Sequence, residues 1–117
     1  MEDLLPEEED VQFEEELLRN PYSVKLWCRY LDVRRDASTQ RRYLLYERAL
    51  RVLPGSYKLW YAYLQERLMS VRGLNLDHPS VESLTHTFER SLVTMHKMPV
   101  IWLDYLTFLV KQKFITK

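Results

Sequence analysis

SVKLWCRYL (residues 23–31) returns as SYKLWYAYL (residues 56–64), and its core returns again in PVIWLDYL (residues 99–106). Each copy carries a tryptophan, an aromatic residue three positions on and a leucine four positions on: Trp27, Tyr30 and Leu31; Trp60, Tyr63 and Leu64; Trp102, Tyr105 and Leu106. Offsets of three and four residues place all three side chains on one stripe of an α-helix. A second element alternates with the first. YLLYERALRVLP (residues 43–54) and THTFERSLVTMHKMP (residues 85–99) share an aromatic-Glu-Arg-small-Leu core, at Tyr46, Glu47, Arg48, Ala49 and Leu50 and at Phe88, Glu89, Arg90, Ser91 and Leu92, and each ends on a proline, Pro54 or Pro99. Leu45, Ala49, Leu50 and Leu53 form one apolar stripe, and Leu84, Phe88, Leu92 and Met95 another, so both segments are read as amphipathic helices.

The order is therefore helix A, helix B, A, B, A, an internal repeat of helix pairs. The expected fold class is all-α, an antiparallel helix-pair α-solenoid in which each repeat buries its stripe against the next. The two A-to-A steps differ, at 33 residues from Trp27 to Trp60 and 42 from Trp60 to Trp102. The distance from the tryptophan to the Glu of the B helix grows by the same amount, from 20 to 29, which puts the nine extra residues in the second A-to-B connection. Gly73, Asn75, Asp77 and Pro79 predict a turn there, around residues 70–80, and a candidate contact point on one face of the stack. Ser23 and Ser56 are expected N-caps of A helices, Ser38 or Thr39 caps the first B helix, and Pro79 and Ser80 open the second.

Composition agrees. Among 117 residues 46% are hydrophobic and only two are glycine, Gly55 and Gly73, too few for the turns of a sheet protein of this size. The formal net charge is zero, but the first 16 residues hold nine of the 17 acids and no base, leaving 17 bases against 8 acids in the rest. The expected organisation is an acidic disordered leader at 1–10, a short helix at 11–20 with Phe13, Leu17 and Leu18 on one face docking on the first repeat, and a repeat region at 21–117. The repeats run over about 22–54 and 55–97, with an incomplete third at 98–117. The third A helix lacks a B helix to cover Trp102, Tyr105, Leu106 and Leu109, so the chain is expected to be a piece of a longer stack or to be completed by a neighbour. Met1 ahead of the acidic leader reads as a true start.

Catalytic signatures are lacking. No phosphate-binding glycine loop, zinc-protease or nucleophile-elbow motif occurs, and two glycines would not build them. His78, His86 and His96 have no partner set at metal spacing, and the ten residues from His86 to His96 span nearly three helical turns. Adjacent residues on a helix diverge by about 100°, so Glu47-Arg48 and Glu89-Arg90 are read as ties between helices rather than acid-base pairs. Cys28 stands alone, which excludes an intrachain disulfide, and a structural thiol is expected. No apolar stretch approaches bilayer length. No cofactor, metal, membrane or small-molecule substrate is expected. Arg34, Arg35, Arg41 and Arg42, with Arg48 and Arg51 beyond them, form a basic cluster that is a candidate contact for phosphate backbones, for an acidic protein partner or for the chain's own leader.

W-x-x-Y-L in helix A with Y-E-R-A-L…P in helix B resembles the half-a-tetratricopeptide (HAT) repeat of the crooked-neck-like superfamily, a variant of the tetratricopeptide repeat. FEEELLRNPYSVKLWCRYL (residues 13–31), LYERALRVLPGSYKLWYAYL (residues 45–64) and MHKMPVIWLDYLTFL (residues 95–109) extend the likeness. They resemble the N-terminal region of the Syf-type pre-mRNA-splicing factors, the family called XPA-binding protein two in animals, over roughly residues 11–110. The generic repeat does not require MHKMP followed by Trp-Leu-Asp-Tyr, which makes the likeness specific. The resemblance implies a nuclear, non-enzymatic scaffold in the Prp-nineteen-associated assembly of the spliceosome, binding other helical-repeat and coiled-coil subunits, with animal members linked to transcription-coupled repair. A direct RNA-binding module built on the arginines of residues 34–51 is the alternative. Leu106 and Leu109 join Arg34, Arg35, Arg41 and Arg42 as candidate partner contacts.

Overall fold

The computed structural model describes the backbone of residues 7–116 and side chains through residue 111. The first six positions of the acidic leader, and the last position of the third repeat, lie outside the described residues. Among the described residues a 3-10 turn at Glu8–Asp10 precedes six helices: α1 (Val11–Arg19), α2 (Val24–Val33), α3 (Thr39–Val52), α4 (Tyr57–Ser70), α5 (Pro79–Met95) and α6 (Pro99–Thr116). There is no strand among the described residues, and the all-α class expected from the repeat is the one observed.

Side-chain caps set the helix starts, each satisfying a backbone N–H that has no partner within its helix. Ser23 Oγ accepts from the Leu26 N–H at 3.1 Å, Ser38 Oγ from Arg41 at 3.2 Å and Ser56 Oγ from Leu59 at 3.3 Å. At α5 the cap is His78, whose Nδ1 accepts from the Ser80 N–H at 3.1 Å, with Pro79 in the first turn.

The chain divides into two compact units, residues 1–59 and 60–117. In the first, α2 and α3 run antiparallel: Arg42 reaches the Leu31 carbonyl near the turn between them, and Arg48 lies over the Trp27 ring one to two turns further along. The core here is Leu17 of α1, Leu26, Trp27, Tyr30 and Leu31 of α2, and Leu45, Tyr46, Ala49 and Leu50 of α3. In the second unit α4 and α5 are antiparallel, with Arg67 bonded to Ser83 and Arg90 over the Trp60 ring. Next, α5 and α6 are antiparallel, with the Phe88 ring stacked on both Tyr105 and Phe108. Trp60, Tyr63, Leu64, Val81, Leu84, Phe88, Leu92, Met95, Ile101 and Phe108 are buried there.

Two expectations are corrected. The nine extra residues of the second repeat do not all enter a loop: α4 outlasts α2 by four residues beyond its tryptophan, α5 starts two earlier relative to its Glu-Arg pair, and only three widen the turn. The run QERLMS (residues 65–70) explains this, since Gln, Glu, Arg, Leu and Met favour helix and carry α4 onward. Gly73, at φ +79°, then turns the chain. Second, disorder was expected through residue 10, yet residues 7–10 are folded, with Asp10 only 2% exposed. The third tryptophan is left open, as expected of an A helix that has no B helix to cover it. Trp27 and Trp60 are 3% and 4% exposed, whereas Trp102 is 41% and Leu106 53% exposed.

Trp60→Ala is expected to lower stability by about 3–5 kcal/mol in urea unfolding, as large buried truncations do. Trp102→Ala, on the exposed side of α6, is expected to cost less than about 2 kcal/mol. Equal losses would contradict this assignment of core and surface.

Candidate interaction surface

The arginine cluster is occupied from within the chain. Arg34 pairs with Glu7 and Glu9, both at 2.9 Å, and with Asp10 at 3.1 Å. Arg41 meets Asp10 at 3.3 Å and Glu7 at 3.7 Å. Arg42 donates to the Leu31 and Arg34 carbonyls at 2.7 and 3.0 Å, satisfying the C-terminal end of α2 where a cation is favoured, and lies over the Tyr46 ring. Burial opposes the charge on Arg34, but the carboxylates of Glu7, Asp10 and Glu9 outweigh it and raise its pKa. Arg35 is exposed and pairs at 3.6 Å with the exposed Asp32 in the last turn of α2. The four arginines singled out as candidate contacts are thus not an open basic patch, because the leader's acids fold back onto two of them.

Below this network α1 is locked by a single carboxylate. The Tyr30 hydroxyl donates to Glu14 Oε2 at 2.7 Å, and Arg48 donates to both Glu14 oxygens at 2.7 and 2.8 Å. The Phe13 ring stacks on Tyr30 with centroids 4.8 Å apart. The paired hydrogen bonds from Arg48 are the main reason the Glu14 pKa is lowered, against an opposing effect of burial; Glu14 in turn raises that of Arg48. Burial, with the hydrogen bond to Glu14, raises that of Tyr30.

The same junction recurs in the second unit. There Phe88 stacks on Tyr105 at 5.2 Å, and the Tyr105 hydroxyl donates to Glu89 at 3.3 Å, again across 16 residues. The tryptophans match as well: Trp27 Nε1 donates to the Pro21 carbonyl at 2.9 Å and Trp102 Nε1 to the His96 carbonyl at 2.8 Å, both six residues back. By this register α1 is a B-type helix, with Phe13, Glu14 and Leu17 standing where α5 has Phe88, Glu89 and Leu92. The side chains that α5 turns toward α4 are Ser83, Thr87 and Arg90; their counterparts in this register are Glu8 of the 3-10 turn and Gln12 and Glu15 of α1, all exposed. α1 therefore keeps the face that meets a following A helix and makes its opposite face polar.

The remaining signature residues are structural. Tyr46, Leu50, Tyr63 and Leu92 are buried, Glu47 and Arg48 are half-buried, and Pro54 is at the surface. Cys28 is a free, half-buried thiol whose pKa burial pushes up. The histidines are dispersed: His78 caps α5, His86 lies 3.9 and 3.7 Å from Glu82 and Glu89, and the ring of His96 is 3.3 Å from the Val93 carbonyl. Among the described residues no three His, Cys, Asp or Glu side chains are grouped to hold a metal ion. The reading of the sequence missed Arg67, a buried cation held by the hydroxyls of Tyr63, Thr87 and Ser83. Its signal was present, since Arg34 and Arg67 each follow the repeat tryptophan by seven residues. On α6, Leu103, Leu106 and Val110 are exposed and Leu109 is half-buried, an apolar face left open.

Antiparallel pairs with a tryptophan anchored to the preceding turn, and an aromatic-Glu to Tyr junction between successive pairs, define a helical-repeat protein of the HAT type. The chain belongs to the family described as "Pre-mRNA-splicing factor Syf1/CNRKL1 N-terminal HAT repeat", whose model matches residues 9–117. It is 48% identical over 114 residues to "Pre-mRNA-splicing factor SYF1" of Homo sapiens, an alignment covering 97% of this chain and 13% of that protein. It is 51% identical over 111 residues to "Pre-mRNA-splicing factor syf1 homolog" of Drosophila melanogaster, covering 95% and 13%. It is 49% identical over 111 residues to "Pre-mRNA-splicing factor cwf3" of Schizosaccharomyces pombe, covering 93% and 14%. The chain thus spans about an eighth of the length of these relatives.

The Glu14 junction makes stability depend on pH. Its folded pKa lies below its unfolded value, so the stabilisation is present above the ordinary glutamate value of about 4.3 and is lost as pH falls through the lower folded value. Glu14→Gln is expected to cost about 2 kcal/mol at pH 7, as the loss of hydrogen bonds to a charged group does. It is also expected to flatten the fall in stability between pH 6 and pH 3. An unchanged pH slope in urea unfolding would contradict the role given to Glu14.

Proposed function

We propose that this chain is a non-catalytic docking module of the nuclear pre-mRNA splicing machinery. The observation that carries the reading is the family match over residues 9–117, with 48–51% identity to proteins named as pre-mRNA-splicing factors. In this proposal the repeats form part of an α-solenoid scaffold, and the assembly is the Prp-nineteen-associated complex of the spliceosome. Its partners are other helical-repeat and coiled-coil subunits. A link to transcription-coupled repair belongs to the same proposal. Leu106 and Leu109, beside the exposed Leu103 and Val110, are the proposed contacts on α6. An unpartnered apolar helix face supports protein docking, since water-exposed strips of this kind favour burial against a partner. The internal pairing of Arg34 and Arg41 counts against phosphate binding by the same region.

The test is affinity capture from nuclear extract with and without nuclease, read by mass spectrometry. Splicing-complex proteins are expected to be recovered equally in both arms. Capture that vanishes with nuclease, or recovers no splicing proteins, overturns the proposal. A second check is Arg34→Glu with Arg41→Glu. The double reversal is expected to lower thermal stability by setting like charges against Glu7 and Asp10, with no change in binding to single-stranded RNA. A large loss of RNA binding at unchanged stability would restore the arginines as a contact site.

A further inference from the structure

The second unit contains a groove that the repeat pattern does not require. It lies between the C-terminal turns of α4 and the middle of α6 and has a volume of about 310 Å³. Leu68 and Met69 belong to the extra turn by which α4 outlasts α2, and with Val71 and Phe108 they make its apolar floor. The groove is therefore a product of the nine-residue insertion. Val71 and Phe108 are buried, whereas Met69 is 65% exposed, so the floor offers apolar surface to an occupant.

The two ends of the groove differ in charge. Arg72 and Lys111 stand at one, both exposed, and neither forms an ion pair among the described residues. At the other, Asp104 accepts from the Gln65 amide at 2.8 Å through Oδ2, leaving its second oxygen available to a donor. A carboxylate is thus favoured beside Arg72 and Lys111, an aliphatic side chain over Leu68 and Met69, and an N–H group toward Asp104. Nucleic acid fits less well, because its phosphates would face the Asp104 carboxylate and its sugar-phosphate backbone would lie on an apolar floor.

We propose that this groove docks an extended protein segment in which acidic residues alternate with leucine-like side chains, its acidic end held by Arg72 and Lys111. The volume is that of a small binding pocket, large enough for two or three such side chains. The assignment goes beyond the splicing role proposed above and does not depend on it, since it rests on the floor and rim of the groove alone.

The experiment titrates the intact chain into a fluorescein-labelled peptide, Ser-Glu-Leu-Asp-Leu-Ser, followed by anisotropy. Comparison probes are a version with both acids changed to Lys, one with both leucines changed to Ser, and a uridine decamer. The acidic leucine peptide is expected to bind at least about tenfold more tightly than each of the others. Its titration is expected to shift the Met69 methyl resonance. Arg72→Glu with Lys111→Glu, both at exposed positions, is expected to keep the helical circular dichroism spectrum, weaken the acidic peptide about tenfold and reverse the preference toward the Lys peptide. Equal binding of acidic and Lys peptides, indifference to the double reversal, or displacement of the peptide by the uridine decamer would each overturn the proposal. Capture of splicing proteins with no peptide binding would overturn the groove and leave the scaffold reading intact.

Discussion

The carboxylate of Glu14 stands where three helices meet, taking hydrogen bonds from Tyr30 of α2 and Arg48 of α3. A nine-residue helix such as α1 is marginal by itself in water, because nucleation is costly and few hydrogen bonds repay it. Its order comes from what it touches: the stacked Phe13 ring, the buried Leu17 and this shared carboxylate. The same junction links α5 to α6 through Phe88, Glu89 and Tyr105, with a longer hydroxyl bond and an exposed Glu89. One junction thus sets the register in both units: a stacked aromatic pair excludes water, and a tyrosine hydroxyl aimed at a glutamate fixes how far each A helix slides along the B helix before it.

The charge distribution follows from this arrangement. An acidic leader ahead of a basic body looks like two surfaces awaiting partners of opposite sign. In the folded chain they meet each other instead, through Glu7, Glu9 and Asp10 on Arg34 and Arg41, while Glu14 takes Arg48. Burying Asp10 at 2% exposure without these cations would leave an uncompensated charge in a low-dielectric site, which folding does not tolerate. Arginine suits the place, since its planar fork serves several oxygens at once. The apolar face of α6 and the groove beside α4, the two proposed docking surfaces, both lie outside this network.

Much of this was legible in the sequence and some was not. The spacing of Trp27, Tyr30 and Leu31, repeated at Trp60 and Trp102, was enough to place the A helices, and the serines at 23, 38 and 56 marked where helices begin. The junction was legible too, though easily passed over: Glu14 and Glu89 each follow an aromatic residue and precede Tyr30 and Tyr105, respectively, by 16. In α1 an acid replaces the arginine that follows this Glu in α3 and α5, which hides its B-type character. The pairing of Arg34 with acids 24 to 27 residues away had no local signal, because it depends on how the leader folds back over α2. The nine extra residues were legible as lying between Trp60 and Glu89. Their division between a longer α4, a wider turn and an earlier α5 was decided by helix-forming residues on either side of the turn.

α1 is an integral B-type helix, joined to α2 through Glu14 and Tyr30. A double-mutant cycle on Glu14→Gln and Tyr30→Phe, by urea unfolding at pH 7, measures whether the two side chains act together. A coupling of about 1 kcal/mol or more between the two sites is the expected result. Additive losses, with no coupling, would mean that the hydroxyl and the carboxylate do not work as one junction, and that α1 is held, if at all, by other contacts.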